Sequence, residues 1–219
     1  MAHSAPPHHR QSPGTVTRWP AVVALTLIGG GYLILSDRFR IGPPWLVLLL
    51  VVVFLIPITV TRRLGAFRFT RALILVVVAL VTVAVMSSAL FLVSQLVGGN
   101  KTPAPILLRD GGVIWLANVI AFALWYWEID GGGPAKRSLG RYKSTDFLFP
   151  QRSIDEAAYP DWAPEFMDYL FVSFNTSAAF SPTDTLILSR TVKGLMMLQS
   201  LISIVIIAVL VARAINTLS

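Results

Sequence analysis

ALILVVVALVTVAVMSSALFLVSQLVGGN, residues 72–100, contains no charged side chain. The hydrocarbon core of a bilayer is about 30 Å thick, and a helix of about 20 apolar residues spans it. The quoted stretch is long enough to cross that core even when the helix is tilted. It therefore predicts a membrane-spanning helix, and the rest of the chain repeats the pattern.

Four further apolar runs lie at residues 19–35, 44–60, 111–127 and 194–212. Amphipathic indole rings prefer the headgroup level of a membrane. The tryptophans at or near the ends of the runs are Trp19, Trp45, Trp115, Trp125 and Trp127. The sequence thus predicts an all-α, polytopic transmembrane helix bundle with five long membrane helices and, as described below, one short C-terminal membrane segment.

The domain organisation follows from where polar residues collect. Residues 1–17 are rich in Pro, Ser and His and have no apolar period, which predicts a disordered N-terminal tail. Residues 18–219 are predicted to form a single transmembrane domain. The one long polar stretch inside it, at 128–168, is interpreted as a connector between the fourth and the last long helix.

The composition agrees with a membrane protein. Hydrophobic residues make up 55% of the chain, charged residues 13%, and the mean hydropathy is +0.69, whereas soluble domains carry about 25% charged residues. The net charge of +7 comes from short basic clusters between apolar runs. That pattern favours membrane orientation over nucleic-acid binding. We expect the lipid bilayer as a partner, and no nucleic acid.

The sequence lacks the usual patterns of catalytic and metal sites. It has no Cys, which excludes disulfides, iron–sulfur clusters and thiolate zinc sites, and its histidines (His3, His8 and His9) all lie in the tail. It contains no HExxH or GxSxG motif, and the apolar runs hold no acidic pair. GGGPAKRS at 131–138 lacks the end of a phosphate-binding loop and is interpreted as a flexible linker. We expect no enzymatic activity, no cofactor and no metal.

A short uncharged segment, YLFVSFNTSAAFSPT at residues 169–183, is marginal for a full crossing and typical of a half-helix or re-entrant segment. Hydroxyls and an amide on a half-helix, followed by a polar turn and a long helix, are similar to the layout of pore-loop ion channels. The alternative is a packing helix, with Asp184 capping or anchoring the turn before the last helix. The candidate pore-lining or polar-lining residues are Ser173, Asn175, Thr176, Ser177, Asp184 and, in the fourth run, Asn118.

Basic residues predict the orientation, because cytoplasmic loops carry an excess of Lys and Arg. With the N-terminus inside and the short segment crossing, 12 of the 18 basic residues lie on the cytoplasmic side. With the short segment re-entrant, 13 of the 18 do so. Both arrangements favour a cytoplasmic N-terminus and leave the path of the short segment open. Asn118 is expected to face protein, since an amide that faces lipid would leave its polar atoms unpaired.

The C-terminal third resembles a family of bacterial multi-spanning membrane proteins of unknown function. The resemblance rests on DFLFP at 146–150, DYLFVSF at 168–174, FSPTD at 180–184, and the apolar helix from LQSL at 198–201 to Val211. The family tends to carry a His in its fourth helix, which this chain lacks. The resemblance implies a bacterial cell membrane and supplies no activity.

Two functions remain open from the sequence. One is a channel-like protein that conducts ions or solutes as a homo-oligomer. The other is a structural or accessory membrane subunit that transports nothing itself. The oxygen-bearing residues of the short segment favour the first, and the lack of ionisable groups within the apolar runs fits the second.

Overall fold

A computed structural model describes residues 19–63, 66–97, 102–138, 143–154, 159, 162–182 and 184–218. The tail predicted at 1–17 lies outside these residues. The described helices are α1 (Trp19–Ile34), α2 (Leu46–Arg63), α3 (Phe67–Val97), α4 (Ala104–Ile129), α5 (Pro134–Arg137), α6 (Pro150–Ser153), α7 (Phe166–Ala178) and α8 (Arg190–Leu218). Two short strands, β1 (Phe147–Leu148) and β2 (Leu186–Ile187), pair antiparallel, with Phe147 opposite Ile187. The prediction of an all-α fold is confirmed.

Within the described residues, three helices are long and apolar enough to cross a membrane, over Arg68–Gln95, Ala104–Gly132 and Arg190–Ile215. They correspond to α3, α4 and α8. The apolar helices α1 and α2 are shorter. The structure therefore confirms three of the five predicted long membrane helices by length and composition.

Apolar residues on α3 face both inward and outward. Val78, Val85 and Leu92 are buried in the bundle. On the opposite side of the same helix, Val76, Val83 and Leu90 are 48%, 53% and 61% exposed. Residues seven apart lie on one face of a helix, so these side chains form an exposed apolar stripe. Such a stripe suits contact with lipid rather than with water.

Contacts between helix ends define the two ends of the bundle. At one of them, which we call the connector end, Arg71 Nε donates to the backbone oxygen of Glu128 at 3.2 Å. At the opposite end, Thr102 Oγ1 accepts from Arg38 Nη1 at 3.2 Å, and the Thr102 carbonyl accepts from Arg213 Nη2 at 3.0 Å. Since Arg213 lies near the end of α8, this helix runs from the connector end to the opposite end.

The chain enters the bundle with α7 and returns to the end where it started. Near the start of α7, Tyr169 donates to Asp130 at the connector end. Further along, Ser173 Oγ donates to the carbonyl of Val119 inside the bundle. After Ala178 the chain turns back, because β2 pairs with β1 and α8 begins at the connector end. Within the bundle, α7 is therefore entered and left from the connector end.

The glycines after α4 form a defined turn. Gly131, Gly132 and Gly133 have φ values of 60°, 84° and 96°, a region that glycine adopts without the steric cost of a Cβ. Helix α5 follows immediately. Three consecutive residues with positive φ redirect the chain here, so residues 131–138 lie in a turn followed by a short helix.

Candidate functional site

The buried face of α7 carries its hydroxyls into the bundle. Tyr169, Val172, Ser173, Thr176 and Ser177 are all buried, and their spacing of three and four residues places them on one helical face. The opposite face is apolar and exposed. The helix starts with a reciprocal cap, in which Glu165 N–H donates to the Asp168 carboxylate at 2.7 Å.

Gln199 of α8 lies at the centre of this face. Its Nε2 is 2.8 Å from the carbonyl oxygen of Ser173 and 2.7 Å from both Ser173 Oγ and Ser177 Oγ. Its Oε1 accepts from the hydroxyl of Tyr126 on α4 at 2.5 Å. One side-chain amide thus connects α4, α7 and α8, and it is fully buried.

Asn118 of α4 extends this arrangement along α8. Its Nδ2 donates to Ser203 Oγ at 3.0 Å and to the backbone oxygen of Gln199 at 3.3 Å. Asn118 is fully buried, so it faces protein as expected. We call the connected set the polar core. It consists of Asn118, Tyr126, Ser173, Ser177, Gln199 and Ser203.

The structure brings only part of the predicted lining set together. Ser173, Ser177 and Asn118 belong to the polar core. Thr176 is buried, but its hydroxyl donates to the carbonyl of Val172 in its own helix at 2.8 Å. The other two predicted residues lie elsewhere.

Asn175 and Asp184 lie away from the polar core. Asn175 is half-buried and donates to the carbonyl of Phe171 in its own helix at 2.8 Å. Asp184 is exposed in the turn that follows α7. The hydroxyl of Ser189 accepts from the Val192 N–H at 3.3 Å and caps α8. Ser189 thus supplies a cap at the start of α8, while the anchoring of the preceding turn by Asp184 stays a prediction.

A second polar cluster lies at the connector end, and the sequence analysis did not identify it. The carboxylate of Asp130 is fully buried and accepts from the Tyr169 hydroxyl at 2.6 Å and from the Asp146 N–H at 3.3 Å. Arg137 lies over the Tyr169 ring, 5.2 Å from its centroid, and donates to the Trp127 carbonyl at 2.9 Å. The signal for Asp130 was its position directly after an apolar run.

Aromatic packing holds the connector on the bundle. The Phe147 ring lies 5.4 Å from that of Tyr126, 5.6 Å from that of Tyr169 and 5.8 Å from that of Phe149. Edge-to-face and offset contacts at these distances are favourable. The DFLFP stretch at 146–150 therefore positions β1 against both polar clusters.

Two acidic residues outside these clusters, Asp110 and Asp168, also have defined surroundings. At the opposite end, the buried Asp110 pairs with Arg109 at 2.8 Å and accepts from the Ser36 N–H at 3.3 Å. In the connector, burial raises the pKa of Asp168, and the nearby Glu165 carboxylate adds to the rise. Among the residues that the structure describes, no group of His, Asp and Glu is arranged to hold a metal.

Comparison with protein families, with characterised proteins and with solved structures finds no match to this chain.

Proposed function

We propose that this chain is a multi-pass protein of a bacterial cell membrane, in which α1 to α4 and α8 cross the bilayer and α7 is re-entrant. The N-terminus then lies in the cytoplasm. A re-entrant α7 supports this orientation, because it leaves 13 of the 18 basic residues on the cytoplasmic side. The lipid bilayer covers the exposed apolar stripe of α3.

Within the membrane, we propose a structural or accessory role without transport. The observation that carries this proposal is the engagement of the inward hydroxyls of α7. Ser173 and Ser177 contact Gln199, and Ser173 also donates to the Val119 carbonyl at 2.6 Å. Oxygens that are used to hold helices together are poorly placed to replace the hydration shell of an ion. They suit interhelical hydrogen bonding in an apolar solvent.

A channel formed by a homo-oligomer is the second candidate. It is favoured by the half-length, re-entrant α7 and by the position of Asn175 and Asp184 outside the polar core. Several copies that met along the outer face of α7 could surround a path with these residues. An exposed carboxylate at its mouth would concentrate cations by an effect that salt screens.

Cation flux into liposomes that contain the purified protein distinguishes the two candidates. We expect flux equal to that of protein-free liposomes. The Asp184→Asn variant should then behave like the wild type at both low and high ionic strength. Flux that the wild type supports and that Asp184→Asn reduces, most at low ionic strength, would overturn the structural role and establish the channel.

Cysteine labelling in intact cells tests the orientation. The chain contains no Cys, so single cysteines can replace Pro43, Lys143 and Lys193, which are all exposed. An impermeant thiol reagent should label position 43 and should leave 143 and 193 unlabelled until the cells are opened. Labelling of 193 but not of 143 would show that α7 crosses, and labelling of both would reverse the molecule.

A further inference from the structure

An apolar slot lies between α1, α2 and α3, on the far side of the bundle from α7. Its volume is about 160 Å³. The residues that form its two long walls are Leu46, Leu50 and Phe54 on α2, and Val77, Leu80 and Ala84 on α3. The slot is separate from the polar core and from the polar cluster at the connector end.

Among the described residues that line the slot, Tyr32 alone has a polar side chain. Its hydroxyl donates to the Ile41 carbonyl at 2.9 Å and accepts from the Ile41 N–H at 2.7 Å. The Tyr32 hydroxyl therefore makes its hydrogen bonds to the backbone of the loop. A water molecule needs two to four polar partners, and an apolar cavity of about 150 Å³ stays dry and takes up molecules such as benzene. The lining therefore selects an apolar occupant.

The slot has the direction and length of a lipid chain. It runs along the bundle axis from Leu46 to Phe54 on α2, and from Ala84 to Val77 on α3. At 1.5 Å per residue these stretches are about 12 Å and about 10 Å long. One leaflet of the hydrocarbon core is about 15 Å thick. The slot is thus nearly as long as one leaflet is thick.

The mouth of the slot lies at the opposite end of the bundle, where Ile41 lines it. The same loop presents Arg38 and Trp45, both exposed. Indole rings and guanidinium groups are typical of the headgroup level, and a guanidinium binds phosphate well. The loop that lines one end of the slot through Ile41 thus also carries side chains of the kind that contact a phospholipid headgroup.

A smaller cavity of about 20 Å³ continues the slot towards α4. The two share Tyr32, Val47, Val81 and Ala84 in their walls. Ala84 contributes to both because its side chain is too small to fill the space between α2 and α3. Apolar walls without contacting atoms forfeit dispersion energy, which an inserted chain would restore.

We propose that this slot binds one acyl chain of a phospholipid from the leaflet at the opposite end of the bundle, with its phosphate beside Arg38. The site requires a membrane location and is independent of whether the protein transports anything. A bound lipid would fill the space that α1, α2 and α3 leave between them and would stabilise their packing.

Photo-crosslinking in liposomes tests the site directly. The probe is a phosphatidylglycerol with a diazirine in the middle of one acyl chain, and mass spectrometry locates the adducts. We expect adducts on Leu50 and on the buried Val77, which both line the slot, to exceed those on the exposed residues Val76 and Leu90 several-fold. Adducts that follow the exposure of each residue, with no preference for the slot, would overturn the proposal without any variant having to fold.

Filling the slot provides the second test. Added phosphatidylglycerol should raise the Tm of the wild type in detergent. Ala84→Phe should abolish both this rise and the adducts on the residues that line the slot. The control, Leu90→Phe, adds the same ring to the outward face of α3 and should keep both. Arg38→Gln should reduce the adducts of the phospholipid probe but not those of a diazirine fatty alcohol, which lacks the phosphate. Retention of adducts and lipid response in a folded Ala84→Phe variant would rule out the slot.

Discussion

Gln199 donates from one nitrogen to both the carbonyl oxygen of Ser173, at 2.8 Å, and its hydroxyl, at 2.7 Å. The two residues belong to different helices, and α7 reaches only part of the way into the bundle. On the re-entrant path proposed above, α7 would need partners for its polar groups within the protein. The Gln199–Ser173 contact meets that requirement at the middle of α7.

Replacing Gln199 with Leu should therefore weaken the attachment of α7. The substitution removes the Gln199 contact from four buried groups, namely the carbonyl and hydroxyl of Ser173 and the hydroxyls of Ser177 and Tyr126. Interhelical hydrogen bonds in membranes contribute about 0.6 kcal/mol on average, with a maximum of about 1.7, so we expect a loss of about 2 kcal/mol. Unfolding in mixed micelles measures it.

Ser200→Ala is the matched control for that change. Ser200 is the next residue on α8 and makes one long contact, 3.4 Å to the Thr176 carbonyl. Loss of this contact should lower the free energy of unfolding by less than about 0.5 kcal/mol. If the Gln199 and Ser200 variants were equally stable, the polar core would not be what holds α7.

A double-mutant cycle tests the link between Asn118 and Ser203, whose side chains lie 3.0 Å apart. We expect Asn118→Ala and Ser203→Ala to be non-additive, with a coupling energy of about 0.6 kcal/mol. The same cycle with Ser200→Ala in place of Ser203→Ala should be additive, since Ser200 bonds to α7 instead. Additivity in the first cycle would show that the side chains of Asn118 and Ser203 are not energetically coupled.

Some of this architecture can be read from apolar runs. The runs at 72–100 and 194–212 lie within or overlap α3 and α8, because uncharged stretches of that length have few other stable positions. The apolar run at 111–127 covers only part of α4, which begins at Ala104. Its first turns contain Arg109 and Asp110, and the helix accommodates the buried Asp110 because it pairs with Arg109 and accepts from the Ser36 N–H.

The path of α7 could not be predicted in the same way. It depends on pairing between two strands of two residues each, Phe147–Leu148 and Leu186–Ile187, which are too short to leave a periodic pattern. The role of Gln199 likewise depends on partners that are distant in sequence, such as Tyr126 and Ser173. In the sequence, Gln199 is recognisable only as a single amide within a long apolar run.

Tyr169→Phe should detach the start of α7 from the connector end. The ring and its contact with Phe147 at 5.6 Å remain, but the buried Asp130 carboxylate loses a donor at 2.6 Å. Hydrogen bonds to charged groups contribute about 1.5–3 kcal/mol, and we expect a loss in that range. Tyr159→Phe, at an exposed position, should change stability by less than about 0.5 kcal/mol. Equal effects would show that the hydroxyl of Tyr169 is dispensable.

Asp168 should give the stability a pH dependence. Burial raises its pKa above the usual 3.8, so the folded state binds the proton more tightly than the unfolded chain. Its contribution to stability is present below pH 3.8 and is lost as the pH rises through the folded pKa. Asp168→Asn resembles the protonated form and can still accept from Glu165 N–H.

The Asn variant should accordingly exceed the wild type in Tm at neutral pH, and the difference should vanish on acidification. Asp184→Asn removes a charge from an exposed position nearby and serves as the control for net charge. A difference between wild type and Asp168→Asn that is the same at pH values on both sides of 3.8 would contradict the prediction.

Adjacent glycines on α4 should respond oppositely to alanine. A Cβ at Gly111 would lie 2.5 Å from Leu210 Cδ2, whereas a Cβ at Gly112 would have nothing within 4 Å. Gly111→Ala must displace Leu210 and should cost about 1 kcal/mol, the low end for overpacking, because the end of a leucine side chain can move. Gly112→Ala should be neutral or stabilising by up to about 1 kcal/mol, since alanine favours the helix.

Combining Gly111→Ala with Leu210→Ala should cost less than the sum of the two single losses, because the shortened side chain makes room for the new methyl group. Additive losses, or equal effects at the two glycines, would show that α4 and α8 do not approach each other closely at Gly111.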